Sequence, residues 1–328
     1  MIELGRLRIR QGLFASPLAG ITKRANRVLA RRYGCEMAYT EMIKGAGLVA
    51  GNQRTRELLK RDRDLEDALG IQLAEGEPDK MREAARIVSE MDFDVVDINM
   101  GCPARKITCD CSGAGLLRDA PRAREVMKAV RSTIPPHIPV TVKIRLGWDH
   151  GSYVHLDYAH MAEDEGLALI TVHGRTAQDK YGTPVDYARI AEVVQAVDIP
   201  VVGNGDVSDG PSARKMLDET GCAGVMIGRA SQGNPWVFRD VSHYLTTGQP
   251  APAPGREEVV EVLREHFRML VEDEGERRAS LQIRKLASWY LQGVVPKSFI
   301  HERIFNIEDA QGFSQLLDEV LQVKAPAL

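Results

Sequence analysis

Long apolar runs are missing from this chain. No stretch of its 328 residues approaches the ~18 apolar residues of a membrane span, and the opening MIELGRLRIRQG has no apolar signal core. A cytoplasmic protein with no membrane partner is therefore expected. Cysteine is sparse: Cys35, Cys102, Cys109, Cys111 and Cys222 make an odd set without a paired framework, which speaks against a disulfide-stapled secreted scaffold. There is no basic excess either. Lys and Arg number 43 against 46 Asp and Glu, for a net charge of −3, so any nucleic acid must be met by a local patch. The phosphate loop GxGxxG of open doubly wound sheets is absent after the first apolar run, which leads into Pro17-Leu18-Ala19-Gly20. What is present is ordinary globular composition, 44% hydrophobic and 27% charged, in a chain long enough to bury a large core without staples.

Eight short apolar runs read as strands: 12–16, 37–40, 69–73, 95–99, 140–144, 169–173, 201–203 and 224–227. Runs such as VVDIN, VTVKI and LITV suit parallel strands buried on both faces. Between them, 79–91, 120–132, 186–197 and 210–220 repeat apolar residues at helical spacing. Strands alternating with helices indicate βαβ units, and eight of them in about 230 residues indicate an α/β fold of the (β/α)8 TIM-barrel type. The composition then changes. TTGQPAPAPG, residues 246–255, reads as a linker, and helical periods dominate beyond it. The expected organisation is a barrel over 1–245, a linker over 246–255 and a small helical bundle over 256–328.

Barrel active sites are built at the C-terminal ends of the strands. The successive runs end at Pro17, Glu41, Gln72, Asn99, Lys143 with Arg145, His173 with Arg175, Asn204-Gly205-Asp206, and Gly228-Arg229. These residue types give directed hydrogen bonds rather than generic polarity. Gly205 and Gly228 let backbone N–H groups approach an anion, and Arg229 adds a charge-assisted contact, so the last two strands suggest a phosphate site. Lys143 interrupts an apolar strand. A lysine there must meet an anion or strong acceptor, either a barrel carboxylate or an electron-rich ring on which negative charge develops. Cys102, in NMGCP, opens a loop over 103–117 containing Gly113 and Gly115, which could close as a lid. Cys109-Asp110-Cys111 follows in the same loop, but Cys-x-Cys is not the usual zinc spacing and has no local fourth ligand, so no metal is expected.

Taken as a set, SPLAGITKRANR, GIQLAE, DINMGCPARKIT, VTVKIRLGW, VHGRTA, PVVGNGDV and VMIGRASQGNPWVFRDV resemble the flavin-dependent tRNA-dihydrouridine synthases. RKLASWYLQG and FNIEDA in the tail are similar to the bacterial B-type branch. The resemblance spans almost the whole chain. It implies an FMN-containing barrel followed by a helical domain that contacts tRNA. FMN would be held by Pro17, Leu18, Ala19, Gln72, Lys143, His173, Asn204, Gly205, Asp206, Gly228 and Arg229. Asn99, Arg145 and Arg175 would contact the substrate, and Cys102 matches the family's general acid. The implied reaction uses NADPH, or NADH, to reduce FMN; hydride passes to uracil C6 and the thiol protonates C5. The chain departs from the family pattern at Leu18 and Lys23, which stand where methionine and aspartate are usual, and at the extra thiols Cys109 and Cys111.

The target would be a D-loop uridine of tRNA, flipped out of its stack to enter the barrel mouth, with Tyr181 as a possible stacking partner and a monomeric enzyme. Another reading is a flavin- and folate-dependent RNA uridine C5-methyltransferase, in which a second loop cysteine would serve as nucleophile. A small-molecule flavin oxidoreductase would have no use for the helical tail, and a non-enzymatic RNA-binding protein would be colourless. RNA contact has little support from charge alone: from Gly255 onward, 10 Lys and Arg face 13 Asp and Glu. Basic character is local, at Arg277, Arg278, Arg284 and Lys285, at Arg303, and at Arg6, Arg8 and Arg10.

Overall fold

The computed structural model describes residues 1–180 and 182–323, so Tyr181 lies outside the described residues. An antiparallel hairpin, β1 (Ile2–Leu4) and β2 (Leu7–Ile9), opens the chain. Eight parallel strands follow: β3 (Leu13–Ala15), β4 (Ala38–Tyr39), β6 (Leu69–Ala74), β7 (Val95–Met100), β8 (Val140–Arg145), β9 (Leu169–His173), β10 (Val201–Asn204) and β11 (Gly224–Ile227). The short β5 (Ile43–Lys44) pairs with the far end of β6. The sheet runs in the order β3-β11-β10-β9-β8-β7-β6-β4, and a parallel bridge between Phe14 and Met37 closes it, with Ala15 N donating to Met37 O at 2.8 Å. This is the expected barrel. β6, β7 and β8 are buried at every position, as strands covered by helices outside and side chains inside must be.

The hairpin caps the end of the barrel away from the strand C-termini. Ile2, Leu4 and Ile9 pack there with Phe14, Met37, Val95 and Leu169. Arg6 lies in the hairpin turn and pairs with Asp94, and Arg8 stands 4.0 Å from Glu3. These arginines therefore belong to the barrel floor and cannot form an RNA face beside the strand ends.

Beyond the barrel, helices span Arg256–Glu274, Glu276–Tyr290, Lys297–Arg303 and Ala310–Gln322. Their core includes Leu263, Leu270, Ile283, Phe313 and Leu317, and it takes in Ala25, Val28 and Leu29 from the barrel helix Arg24–Arg32. Ion pairs reinforce this seam. Lys23 reaches Glu274, and also Gln282 at 2.7 Å, while Arg24 contacts Asp62, Glu272 and Asp273 at 3.0–3.4 Å. The helix Val237–Thr247 ends on the left-handed Gly248, and 249–255 has no regular structure.

Candidate active site

The strand register assembles the site. Neighbouring strands pair Asn99 with Lys143, Arg145 with His173, and Asn204 with His173. These side chains converge at the strand C-termini on a cavity of about 560 Å³. All the residues expected to hold FMN, contact substrate or supply the proton line it: Pro17, Leu18 and Ala19 from the first loop, Gln72 from β6, Asn99 and Cys102 at the end of β7, Lys143 and Arg145 from the adjacent β8, His173 and Arg175 at the end of β9, and Asn204, Gly205, Asp206, Gly228 and Arg229 closing the ring. Glu41 does not. It is buried beneath the first loop, where one carboxylate oxygen accepts from Gly20 N at 2.6 Å.

Lys143 donates to Asn204 Oδ1 at 2.7 Å, and Asn204 in turn donates to Met226 O at 2.7 Å. Burial, with Arg145 adding repulsion, pulls the Lys143 ammonium down to about 7, although Asp97 works in the other direction. The site thus contains a cation that a bound anion or electron-rich ring would stabilise. Burial, reinforced by the cations Lys143, Arg145, Arg175 and Arg229, drives His173 well below its ordinary value. Its imidazole is neutral at pH 7 and offers one donor and one acceptor.

The phosphate-like corner is built on unusual backbone. Gly205 has φ +133 and Asp206 φ +51, and a non-glycine residue in the left-handed region holds that shape only when its surroundings impose it. Asp206 is held by two guanidinium groups. Arg175, with its side chain 1% exposed, forks onto both carboxylate oxygens, one contact being 3.0 Å, and also donates to Thr183 O at 2.6 Å. Arg229 donates to Asp206 Oδ1 at 2.7 Å and remains 46% exposed. A side-chain carbon added at Gly228 would meet only Ser16 Cβ, at 3.8 Å. Open space beside an exposed guanidinium and two turning backbone segments suits a phosphate.

Cys102 is half-buried at the rim. Its backbone N–H and that of Gly101 donate to Asn99 Oδ1 at 2.9 and 3.2 Å, and Arg145 holds Gly101 O at 2.9 Å. The loop it opens differs from the expected flexible lid. Residues 105–108 form a helical turn and 113–118 a 3-10 helix in which Ala114 and Leu116 are fully buried. Gly113, at φ +58, packs so that a side-chain carbon would lie 2.8 Å from Cys102 O. Its role is close packing, which pins the loop beside Cys102. Cys109 is exposed and Cys111 half-buried, while Cys35 and Cys222 are buried thiols pushed up by desolvation. Among the described residues, no three His, Cys, Asp or Glu side chains group as a metal ion would require.

Sequence reasoning missed Met42, Gly101, Pro103 and Met226 as lining residues. It also missed Asp97, which lies one layer beneath the cavity and accepts from Thr141 at 2.6 Å and Gln72 at 2.7 Å. The signal was there: Asp97 interrupts VVDIN as Lys143 interrupts VTVKI.

The family model for dihydrouridine synthases matches residues 13–325. The chain belongs to the dihydrouridine synthase family. It is 37% identical to tRNA-dihydrouridine synthase B of Pseudomonas putida over 94% of this chain and 91% of that one. The corresponding Yersinia pestis protein is also 37% identical, covering 94% and 95%. A probable tRNA-dihydrouridine synthase of Rickettsia bellii is 33% identical over 90% of each. Among solved structures, an old yellow enzyme homologue from Zymomonas mobilis matches 78% of this chain and 94% of its own at 16% identity, TM-score 0.52. An amine oxidase acting on 6-hydroxypseudooxynicotine, from Pseudomonas geniculata, matches 80% and 52% at 15% identity, TM-score 0.58. These distant matches show the barrel fold. The methyltransferase alternative draws no support from the comparisons.

Proposed function

We propose that this chain reduces the C5–C6 double bond of a D-loop uridine in tRNA, using FMN reduced by NADPH and a proton from Cys102. Membership of the dihydrouridine synthase family implies a flavin and a tRNA substrate. The observation that carries the residue assignments is the single cavity uniting Cys102, Lys143 and the Gly205–Arg229 corner.

The residues present fit a flavin mononucleotide. Arg229, Gly205 and Gly228 would take the phosphate, Pro17, Leu18 and Ala19 would border the ring system, and Gln72 and Lys143 would meet its polar edge. Bound there, the flavin supplies the hydride. Lys143 places positive charge where the ring becomes electron-rich. Asn99 and Arg145 line the cavity where the polar edge of uracil would lie, Arg175 would act on substrate through the Asp206 corner it holds, and neutral His173 can hydrogen-bond without adding charge. Cys102 Sγ holds the proton that quenches the charge developing at C5.

The tail supplies less positive surface than its sequence suggests. Arg284 donates to Ile307 O at 2.7 Å inside the bundle, and Arg303 is neutralised on the surface by Glu319. Arg277 and Arg278 are exposed, Arg278 holding only a long contact to Glu57 at 3.6 Å, and Lys285 sits 4.8 Å over the Trp289 ring. We assign tRNA backbone contact to these three, acting as a local patch. No helix among the described residues is long and apolar enough to cross a membrane.

The reading is tested by purifying the protein, identifying the flavin released on denaturation, and mixing the NADPH-reduced enzyme anaerobically with tRNA lacking dihydrouridine. Oxidation of the flavin by that tRNA is expected. A protein that takes up no flavin even on reconstitution with FMN would sink the assignment.

A further inference from the structure

Along the cavity floor, a chain of hydrogen bonds runs from Thr141 and Asp97 in the barrel interior, through Gln72 and Asn99 in the cavity wall, to the backbone of Cys102. Thr141 Oγ1 donates to Asp97 Oδ1 at 2.6 Å, and Gln72 Nε2 donates to Asp97 Oδ2 at 2.7 Å. Asn99 Nδ2 donates to Gln72 Oε1 at 2.7 Å. Asn99 Oδ1 then accepts from Cys102 N at 2.9 Å and Gly101 N at 3.2 Å. All four side chains are buried, Asp97 at 2% exposure and Gln72 at 1%. Gln72 and Asn99 are amides, whose oxygen and nitrogen ends fill nearly the same volume, so shape alone does not orient them. Orientation must come from the ends of the chain. At one end stand two backbone N–H groups, which only donate. At the other stands Asp97, which when ionised only accepts.

We propose that Asp97 is a positioning residue for proton delivery: its carboxylate sets the direction of the Gln72–Asn99 relay and thereby holds the Gly101–Cys102 backbone where the thiol is needed. Burial raises the Asp97 carboxyl to about 6, leaving it ionised at neutral pH and able only to accept. A neutral amide at this position could donate to Gln72. The chain could then reverse, turning Asn99 Nδ2 toward two N–H donors. The Cys102 backbone would lose its acceptor, and the loop pinned at Gly113 would lose its anchor on the strand side. This inference rests on Cys102 being the proton donor.

The test uses Asp97→Asn, Cys102→Ala and the double variant as flavin-loaded enzymes, following reduction by NADPH and oxidation by tRNA separately. Asp97→Asn is expected to load flavin on reconstitution, and with rates taken per bound flavin its reduction by NADPH should change less than its oxidation by tRNA. Oxidation by tRNA should slow about 10- to 100-fold, the cost of misplacing a reacting group by about 1 Å. In the Cys102→Ala background the same change should slow oxidation no further, because coupled residues are non-additive. An effect on general packing or on the charge of Lys143 would persist in that background. Slow Cys102→Ala together with wild-type Asp97→Asn, or fully additive losses, would overturn the positioning role alone. Cys102→Ala at the wild-type rate would overturn the proton-donor reading and this inference with it. Should Asp97→Asn fail to fold, the smaller, neutral Asp97→Ser removes the same charge and is judged by the same outcomes.

Discussion

Replacing Asp206 with Asn keeps the side-chain shape and tolerates the left-handed backbone observed there, but it removes the charge that two guanidinium groups share. Arg175 suffers most. Its side chain is 1% exposed, and it loses both ion-pair contacts while keeping its hydrogen bond to Thr183 O. Breaking a buried pair costs about 3–5 kcal/mol. The Asp206 side chain is 40% exposed, so solvent already screens part of the interaction and about 3 kcal/mol is the better figure. At about 2–4 °C per kcal/mol for a domain of this size, the midpoint should fall by about 6–12 °C. Thermal unfolding of the flavin-free protein, followed by circular dichroism, measures this directly. Arg229→Ala in parallel should cost less than about 1 kcal/mol, because that side chain is 46% exposed. A midpoint for Asp206→Asn within 1 °C of wild type, on a scale where about 1 kcal/mol already moves it further, would refute the claim that Asp206 stabilises a desolvated Arg175.

Three other outcomes follow from the same geometry. Arg229→Ala should release FMN more readily in equilibrium dialysis while barely changing flavin-free stability; an equal loss of stability would mark Arg229 as structural. Cys102→Ala should bind flavin and tRNA but oxidise about 10²–10⁴-fold more slowly with tRNA, whereas Cys109→Ala and Cys111→Ala stay near wild type; the reverse pattern in stopped-flow traces would show that the wrong thiol was chosen. Lys143 is about 7 when folded against an ordinary 10.5, so the unfolded chain binds more protons between these values and stability should rise with pH across that window. Lys143→Met should flatten that rise in chemical denaturation series between pH 7 and 10; an unchanged slope would contradict the desolvation of Lys143.

Much of the barrel was legible because parallel strands must be apolar on both faces. Leu169–His173 and Gly224–Ile227 match the sequence reading residue for residue. Polar residues closing such runs have few places to point other than the rim, which is why the residues expected to hold FMN, contact substrate or supply the proton share one cavity, with Glu41 the exception among the run ends. The hairpin at Ile2–Ile9 was not recognised, since three-residue strands leave too little alternation to read. The loop after Cys102 was misjudged as a lid because glycine suits both a hinge and a tight contact, and only the packed neighbours of Gly113 distinguish the two. Arg284 and Arg303 looked like RNA contacts because charge in sequence does not reveal whether a partner carbonyl or carboxylate lies across the bundle.

The most direct test of the central claim is nucleoside mass spectrometry of unmodified tRNA after incubation with the FMN-loaded protein and NADPH. The account predicts that a uridine gains two hydrogens and becomes dihydrouridine, with the change mapping to the D-loop. A uridine that instead gains a methyl group, or a tRNA left unchanged by a flavin-loaded and fully reduced enzyme, would contradict it.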